Sequence, residues 1–240
     1  MKLLFVNIFY LLLLQACTSK YVLNGTRFIT PETQGKRFKF SAEVNSGQAT
    51  QTKFDPSSNS KNELKYDQLN VYNINAAAGL GKKIDFYLSH NFDSVPMMNL
   101  KWQIAGSSRA KLIPKNHKLA MTIGYGTTKT KIKDDFDLEL DLIVKDVALL
   151  YGYRWKRKLL FYNSLSYTTY RARLDIASNP IFHNGLLISN NTDVISLLAG
   201  LEMTWQNFFL KGEAGSQLIK SERTSSRNSF LAGYGLGLRF

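Results

Sequence analysis

Phe230-Leu-Ala-Gly-Tyr-Gly-Leu-Gly-Leu-Arg-Phe240 closes the chain. Phe230, Ala232, Tyr234, Leu236, Leu238 and Phe240 share one parity. The other carries Ser229, Gly233, Gly235, Gly237 and Arg239, with Leu231 its one bulky apolar residue. Successive side chains of a strand point to opposite faces. One greasy face and one small or polar face predict a wall between lipid and an enclosed polar interior.

This ending resembles the terminal signal strand of bacterial outer-membrane β-barrels, a group that includes the small OmpA- and OmpW-like barrels. The resemblance implies that Tyr234, Leu236, Leu238 and Phe240 are the mark read by the barrel assembly machinery.

The amino terminus agrees. Met1–Leu14 holds one basic residue, Lys2, followed by an apolar run broken only by Asn7. That run is too short for the roughly 30 Å bilayer core and suits the apolar region of a signal peptide. Leu14-Gln15-Ala16-Cys17 looks like a bacterial lipobox, which implies cleavage after residue 16 and acylation of Cys17. Cys17 is the only cysteine, so an intramolecular disulfide is excluded. Thr18, rather than Asp, follows it, and resemblance to sorted lipoproteins points to the outer membrane and the lipoprotein sorting machinery. The expected organisation is a signal peptide at 1–16, a lipid-anchored periplasmic tether at 17–35 and a barrel at 36–240.

Past Leu14 no apolar run approaches 18 residues, so a helical span is excluded. The chain is nonetheless 44% hydrophobic, with 12 Tyr and 15 Phe at largely alternate positions. A barrel crossing needs only about 9–11 residues, half of them apolar, so a mean hydropathy of −0.19 is no obstacle. Period-2 segments fall within 38–45, 72–78, 84–92, 98–104, 118–126, 147–155, 159–168, 195–205, 207–220 and 230–240. The expected fold is all-β: a ten-stranded antiparallel up-and-down transmembrane β-barrel. A soluble lipocalin-like barrel is disfavoured, because its greasy face would have to point inward.

Short links at 79–83, 108–117, 155–158 and 205–207 alternate with links at 46–66, 91–97, 128–144, 175–192 and 221–228. Outer-membrane barrels keep short turns in the periplasm and longer loops outside. Both termini then fall on the periplasmic side, with Cys17 anchored there.

The formal charge of +13 concentrates in leader and short turns, at Lys20, Arg27, Lys36, Arg37, Lys82, Lys83, Arg109, Lys111, Lys115, Lys118, Arg154, Lys156, Arg157 and Lys158. No nucleic-acid motif surrounds them, so nucleic acid is not an expected partner. A ring of this kind suits anionic headgroups, and outer-membrane lipid and lipopolysaccharide are the expected partners. No extracellular ligand is legible.

Lys39, Glu43, Asp85, Lys101, Asp146, Arg154, Glu202, Lys211, Glu213 and Arg239 carry inward parity. Such charges must pair or meet water. Their mixed signs favour a network of ion pairs over a selective pore. The expected role is an envelope scaffold or surface-interaction protein with a closed lumen. The alternatives are a small passive channel and a hydrolase at the outer rim or acting on lipid.

Catalytic signals are weak, and no cofactor or metal motif is present. Ten strands resemble the omptin proteases, whose acidic pairs and Asp–His dyad would correspond to Asp134-Asp135 with His183. Lipid A deacylases carry a His–Ser pair on the lipid-facing wall. His90 shares that parity, but Ser89 lies on the opposite face, and no such pair with Ser89 or Ser94 is expected.

Overall fold

The computed structural model describes residues 20–23, 25–54, 64–91, 94–133, 137–176, 186–222 and 225–240. Cys17 and the 1–16 segment lie outside them, as do Asp134, Asp135 and His183. A short strand, β1 (Lys20–Leu23), precedes ten long ones: β2 (Phe40–Phe54), β3 (Leu64–Gly79), β4 (Ile84–Asn91), β5 (Met97–Ala105), β6 (Asn116–Lys133), β7 (Asp137–Lys156), β8 (Leu159–Ile176), β9 (Leu186–Trp205), β10 (Phe208–Ser221) and β11 (Arg227–Arg239).

Each of β3 to β11 pairs antiparallel with its chain neighbours, and β2 pairs with both β3 and β11, so the sheet closes into a ten-stranded up-and-down barrel. Closure is set by Arg239 opposite Ser41 and Gly233 opposite Gly47. It leaves the wall no free edge in that stretch to recruit another chain. The tight turn between β9 and β10 places Gln206 at φ 48, in the left-handed region.

The outward side chains form an apolar band. Tyr234, Leu236, Leu238 and Phe240 are 66%, 50%, 46% and 64% exposed, and Leu100, Trp102, Leu149, Phe161, Leu165 and Leu197 also face out. On β7 the band runs from Val147 to Trp155, about 26 Å of strand at about 3.3 Å per residue, enough for a tilted crossing. Aromatic groups mark its short-turn edge. Trp155 packs on Phe161 at 6.3 Å, Trp205 on Phe208 at 6.1 Å and His117 on Tyr153 at 4.7 Å between ring centroids.

The patterning inverts at the other end. Lys145, Thr169, Asp193 and Lys220 lie side by side along the ladder. Beyond this row Arg171, Arg173, Ser189 and Asn191 face out, while Leu140, Leu142, Val144, Tyr170, Leu174 and Ile188 pack inside in an apolar core that Val194, next to the row on its short-turn side, joins. Burial in lipid demands greasy groups outside; burial in water demands them inside. The row therefore marks where the wall leaves the bilayer. Much of the expected 128–144 loop is strand, with Lys129 opposite Asp141 and Lys131 opposite Glu139. These cross-strand pairs support the ladder above the lipid.

The leader departs from expectation. Its described residues do not form a periplasmic tether: Tyr21, Val22, Leu23, Phe28, Ile29, Glu32 and Thr33 are each at most 4% exposed, inside the barrel. The physical reason is room. Eight strands leave an interior that side chains just fill, and ten leave more.

Candidate functional site: a lumen closed by the leader

The strap formed by residues 20–35 meets a different environment at each level of the lumen. At the outer end β1 pairs with β2, Lys20 opposite Lys53 and Leu23 opposite Thr50. Tyr21 and Leu23 join the apolar core, and burial of one such leucine is worth about 1.5–3 kcal/mol. Asn190 Nδ2 donates to the Tyr21 hydroxyl at 3.2 Å, and Ser94 Oγ donates to the Val22 carbonyl at 2.9 Å. Residues 94–97 are thereby held inward against the strap, with Val95 and Met97 buried.

At mid-height the strap bends at Phe28, whose φ of 56 places a bulky residue in the left-handed region. Such a conformation costs about 1–3 kcal/mol and persists only where surroundings hold it. Here the Arg27 and Phe28 amides both donate to Glu213 Oε2, at 2.6 and 2.9 Å. Consecutive N–H groups make a concave cradle for an anion. Lys211 Nζ donates to the Phe28 carbonyl at 2.6 Å, and the Arg27 guanidinium grips Asp146 with two bonds of 2.7 and 2.6 Å. Thr168 Oγ1 also donates to Asp146, at 2.7 Å.

Towards the short-turn end the strap carries its own acid. Glu32 accepts from Arg154 Nε at 2.7 Å, with Lys118 Nζ at 3.1 Å and Arg109 Nε at 3.8 Å. Arg154, Lys118 and Glu32 have fully buried side chains. Glu202 completes the cluster, bonded to Arg109, with Arg239 at 2.8 Å and Arg154 at 3.6 Å. Arg109, Lys211 and Arg239 also lie 4.8–5.3 Å from the Phe209 ring centroid, on which buried cations are favourably placed.

Side chains of the wall satisfy the strap's backbone. Lys101 Nζ, paired with Asp85 at 3.3 Å, donates to the Glu32 carbonyl at 2.7 Å. The Gln34 amide donates to both Asp85 oxygens at 3.0 Å, and the Thr33 amide to Gln103 Oε1 at 3.0 Å. Glu43 pairs with Lys211 and accepts from Asn75 at 2.8 Å and Tyr87 at 2.7 Å. An extended chain with no ladder partner over this stretch would otherwise bury unpaired amides, at a cost comparable to lost hydrogen bonds.

Glu43, Asp85, Lys101, Asp146, Arg154, Glu202, Lys211 and Glu213 thus lie in the lumen, and Arg239 lines its inner mouth with 13% side-chain exposure. Lys39 does not: it is exposed. Phe38, at φ 57, turns the chain before β2 begins at Phe40, so strand parity does not extend back to Lys39. Arg27, Arg109, Lys118 and Arg154 point inward as well, which removes them from the basic ring expected at the headgroups. Lys36, Arg37, Lys82, Lys83, Lys111, Lys115, Lys156, Arg157 and Lys158 remain exposed there.

Sequence reasoning missed Arg27, Glu32, Arg109 and Lys118, although two signals pointed to them. A free tether has no use for Tyr21, Val22, Leu23, Phe28 and Ile29. Glycines on the inward face also leave space for something else. A methyl group on Gly152 would come within 2.7 Å of Pro31 Cγ, and one on Gly47 within 1.9 Å of Thr26 Oγ1.

A closed antiparallel barrel, an apolar outer band with aromatic edges, and polar groups within decide the class. This is the fold of an outer-membrane β-barrel. No family model and no curated protein sequence matches the chain. Among solved structures it is similar to Ail, the attachment invasion locus protein of Yersinia pestis, at 12% identity. That match covers 85% of this chain and all of the other, with a TM-score of 0.39. It is also similar to neisserial surface protein A (12% identity; 84% and 97% covered; TM-score 0.35) and to the outer membrane protease OmpT of Escherichia coli (11%; 85% and 94%; 0.37).

Proposed function

We propose that this outer-membrane-type barrel is a lipoprotein of the bacterial outer membrane, acylated at Cys17, that serves as a closed envelope scaffold or surface-interaction protein. The observation that carries the reading is the strap itself, seated through Glu32, Arg27 and its backbone on ion pairs contributed by the wall. The strap's buried residues occupy the space that a solute path through the barrel would need, which supports a closed lumen. Above the bilayer, the apolar core of Leu140, Leu142 and Tyr170 packs the inside of the outer extension. Outward Lys145, Arg171, Arg173 and Lys220 sit at or just above the apolar band, and this position supports contacts with lipopolysaccharide phosphates.

Reconstituted into planar bilayers, the full-length protein should show no discrete conductance steps. Regular steps at moderate voltage would favour the passive channel instead. The hydrolase reading has little to support it. His90 is buried rather than on the lipid-facing surface, and Ser94 is engaged with the Val22 carbonyl.

A further inference from the structure

The direction of the strap has a topological consequence. Gln34, at one end, donates from Nε2 to Ser41 Oγ at 2.6 Å, beside the short turns. Lys20, at the other, lies opposite Lys53 at the long-link end of β2. Ser41 to Lys53 spans twelve residues of strand, about 40 Å. Fourteen residues separate Lys20 from Gln34, and their full reach is about 46–50 Å. The strap is therefore nearly taut and crosses the lumen once, without room to double back.

Two features identify the end at which Lys20 lies. The long links cluster there, as extracellular loops do. The wall also inverts its polarity there, past the row of Lys145, Thr169, Asp193 and Lys220, so it continues beyond the lipid. The wall seam itself parts at that end. β2 and β11 are paired only up to Gly47 and Gly233, and β1 takes the edge of β2 above. The freed edge of β11 is bridged by side chains: the Ala232 amide donates to Gln48 Oε1 at 3.2 Å, and Gln68 Nε2 donates to the Phe230 carbonyl at 2.5 Å.

We propose that the mature chain is threaded through its own barrel with the amino terminus outside. Whatever precedes Lys20 then emerges on the extracellular face, beside the β2–β11 seam. The barrel is the conduit that presents its own amino terminus at the cell surface. This reverses the expected periplasmic anchor. Taken together with acylation of Cys17, it places the acyl chains in the outer leaflet; the threading itself does not depend on acylation.

The test is labelling of intact cells with a membrane-impermeant maleimide. Ser19→Cys is compared with Lys131→Cys, exposed on the outer extension, and Lys115→Cys, exposed in a short turn. Ser19→Cys should label as fully as Lys131→Cys before the outer membrane is permeabilised, and Lys115→Cys only afterwards. Labelling of Ser19→Cys only after permeabilisation, or in neither state, overturns the proposal. The unsubstituted chain serves as reference. Label on it in intact cells would mean a free thiol at Cys17, which sinks acylation while supporting an external amino terminus.

Discussion

Glu32→Gln should destabilise the barrel by about 3–5 kcal/mol, the cost of breaking a buried ion pair by removing one partner. Glu32 is the one acid the strap brings to Arg154, Lys118 and Arg109, and all of these side chains are at most 5% exposed. Without its charge, Arg154 keeps the Arg157 carbonyl at 2.9 Å, and Glu202 remains as its acid among the described residues, at 3.6 Å and already shared with Arg109 and Arg239. Urea unfolding in vesicles, followed by the gel shift between folded and heat-denatured forms, reads the change. Glu139→Gln is the control. It removes an exposed pair with Lys129 above the bilayer, where salt bridges contribute little, and should leave the midpoint unmoved. Equal behaviour of the two variants would mean that Glu32 is not seated in the lumen.

Deletion of residues 20–34 should convert a silent barrel into a conducting one. The wall contributes inward polar groups at every level below the apolar core, among them Glu43, Asp85, Lys101, Asp146, Ser164, Ser166 and Thr168. These charged and polar groups need either protein partners or water. Removing the strap takes away the Glu32 carboxylate, the Arg27 guanidinium and the amides on Glu213 and Asp85. Water is what remains to solvate them. Discrete steps should therefore appear in planar bilayers with the deletion variant, whose folding the same gel shift verifies. A folded but silent variant would show that wall side chains fill the lumen unaided.

The wall was legible in the chain because lipid enforces strict alternation. Leu149, Tyr151 and Tyr153 against Ala148, Leu150 and Gly152 on β7 show the rule, with buried Leu150 the bulky apolar exception in this stretch. The outer extension was not, because the same strands reverse their greasy face at Lys145 and Asp193 and so read as charged loops. Parity pointed to acids and bases on the wall strands; it gave no sign of Arg27, Glu32 or Arg109, which lie outside those strands, and it misplaced Lys39, where the turn at Phe38 resets it. The strap was hidden for another reason. Many of its contacts are made by the backbone of Arg27, Phe28, Thr30, Glu32, Thr33 and Gln34, and hydrophobic periodicity carries no record of backbone partners.

Hydrogen–deuterium exchange on the protein in lipid tests the internal strap most directly. Amides of residues 21–34 should exchange as slowly as those of the β7 and β8 wall, over hours or longer, because global opening is needed to free them. Exchange within seconds, at the rate of an unstructured chain, would contradict the account and return the segment to the periplasm as a tether.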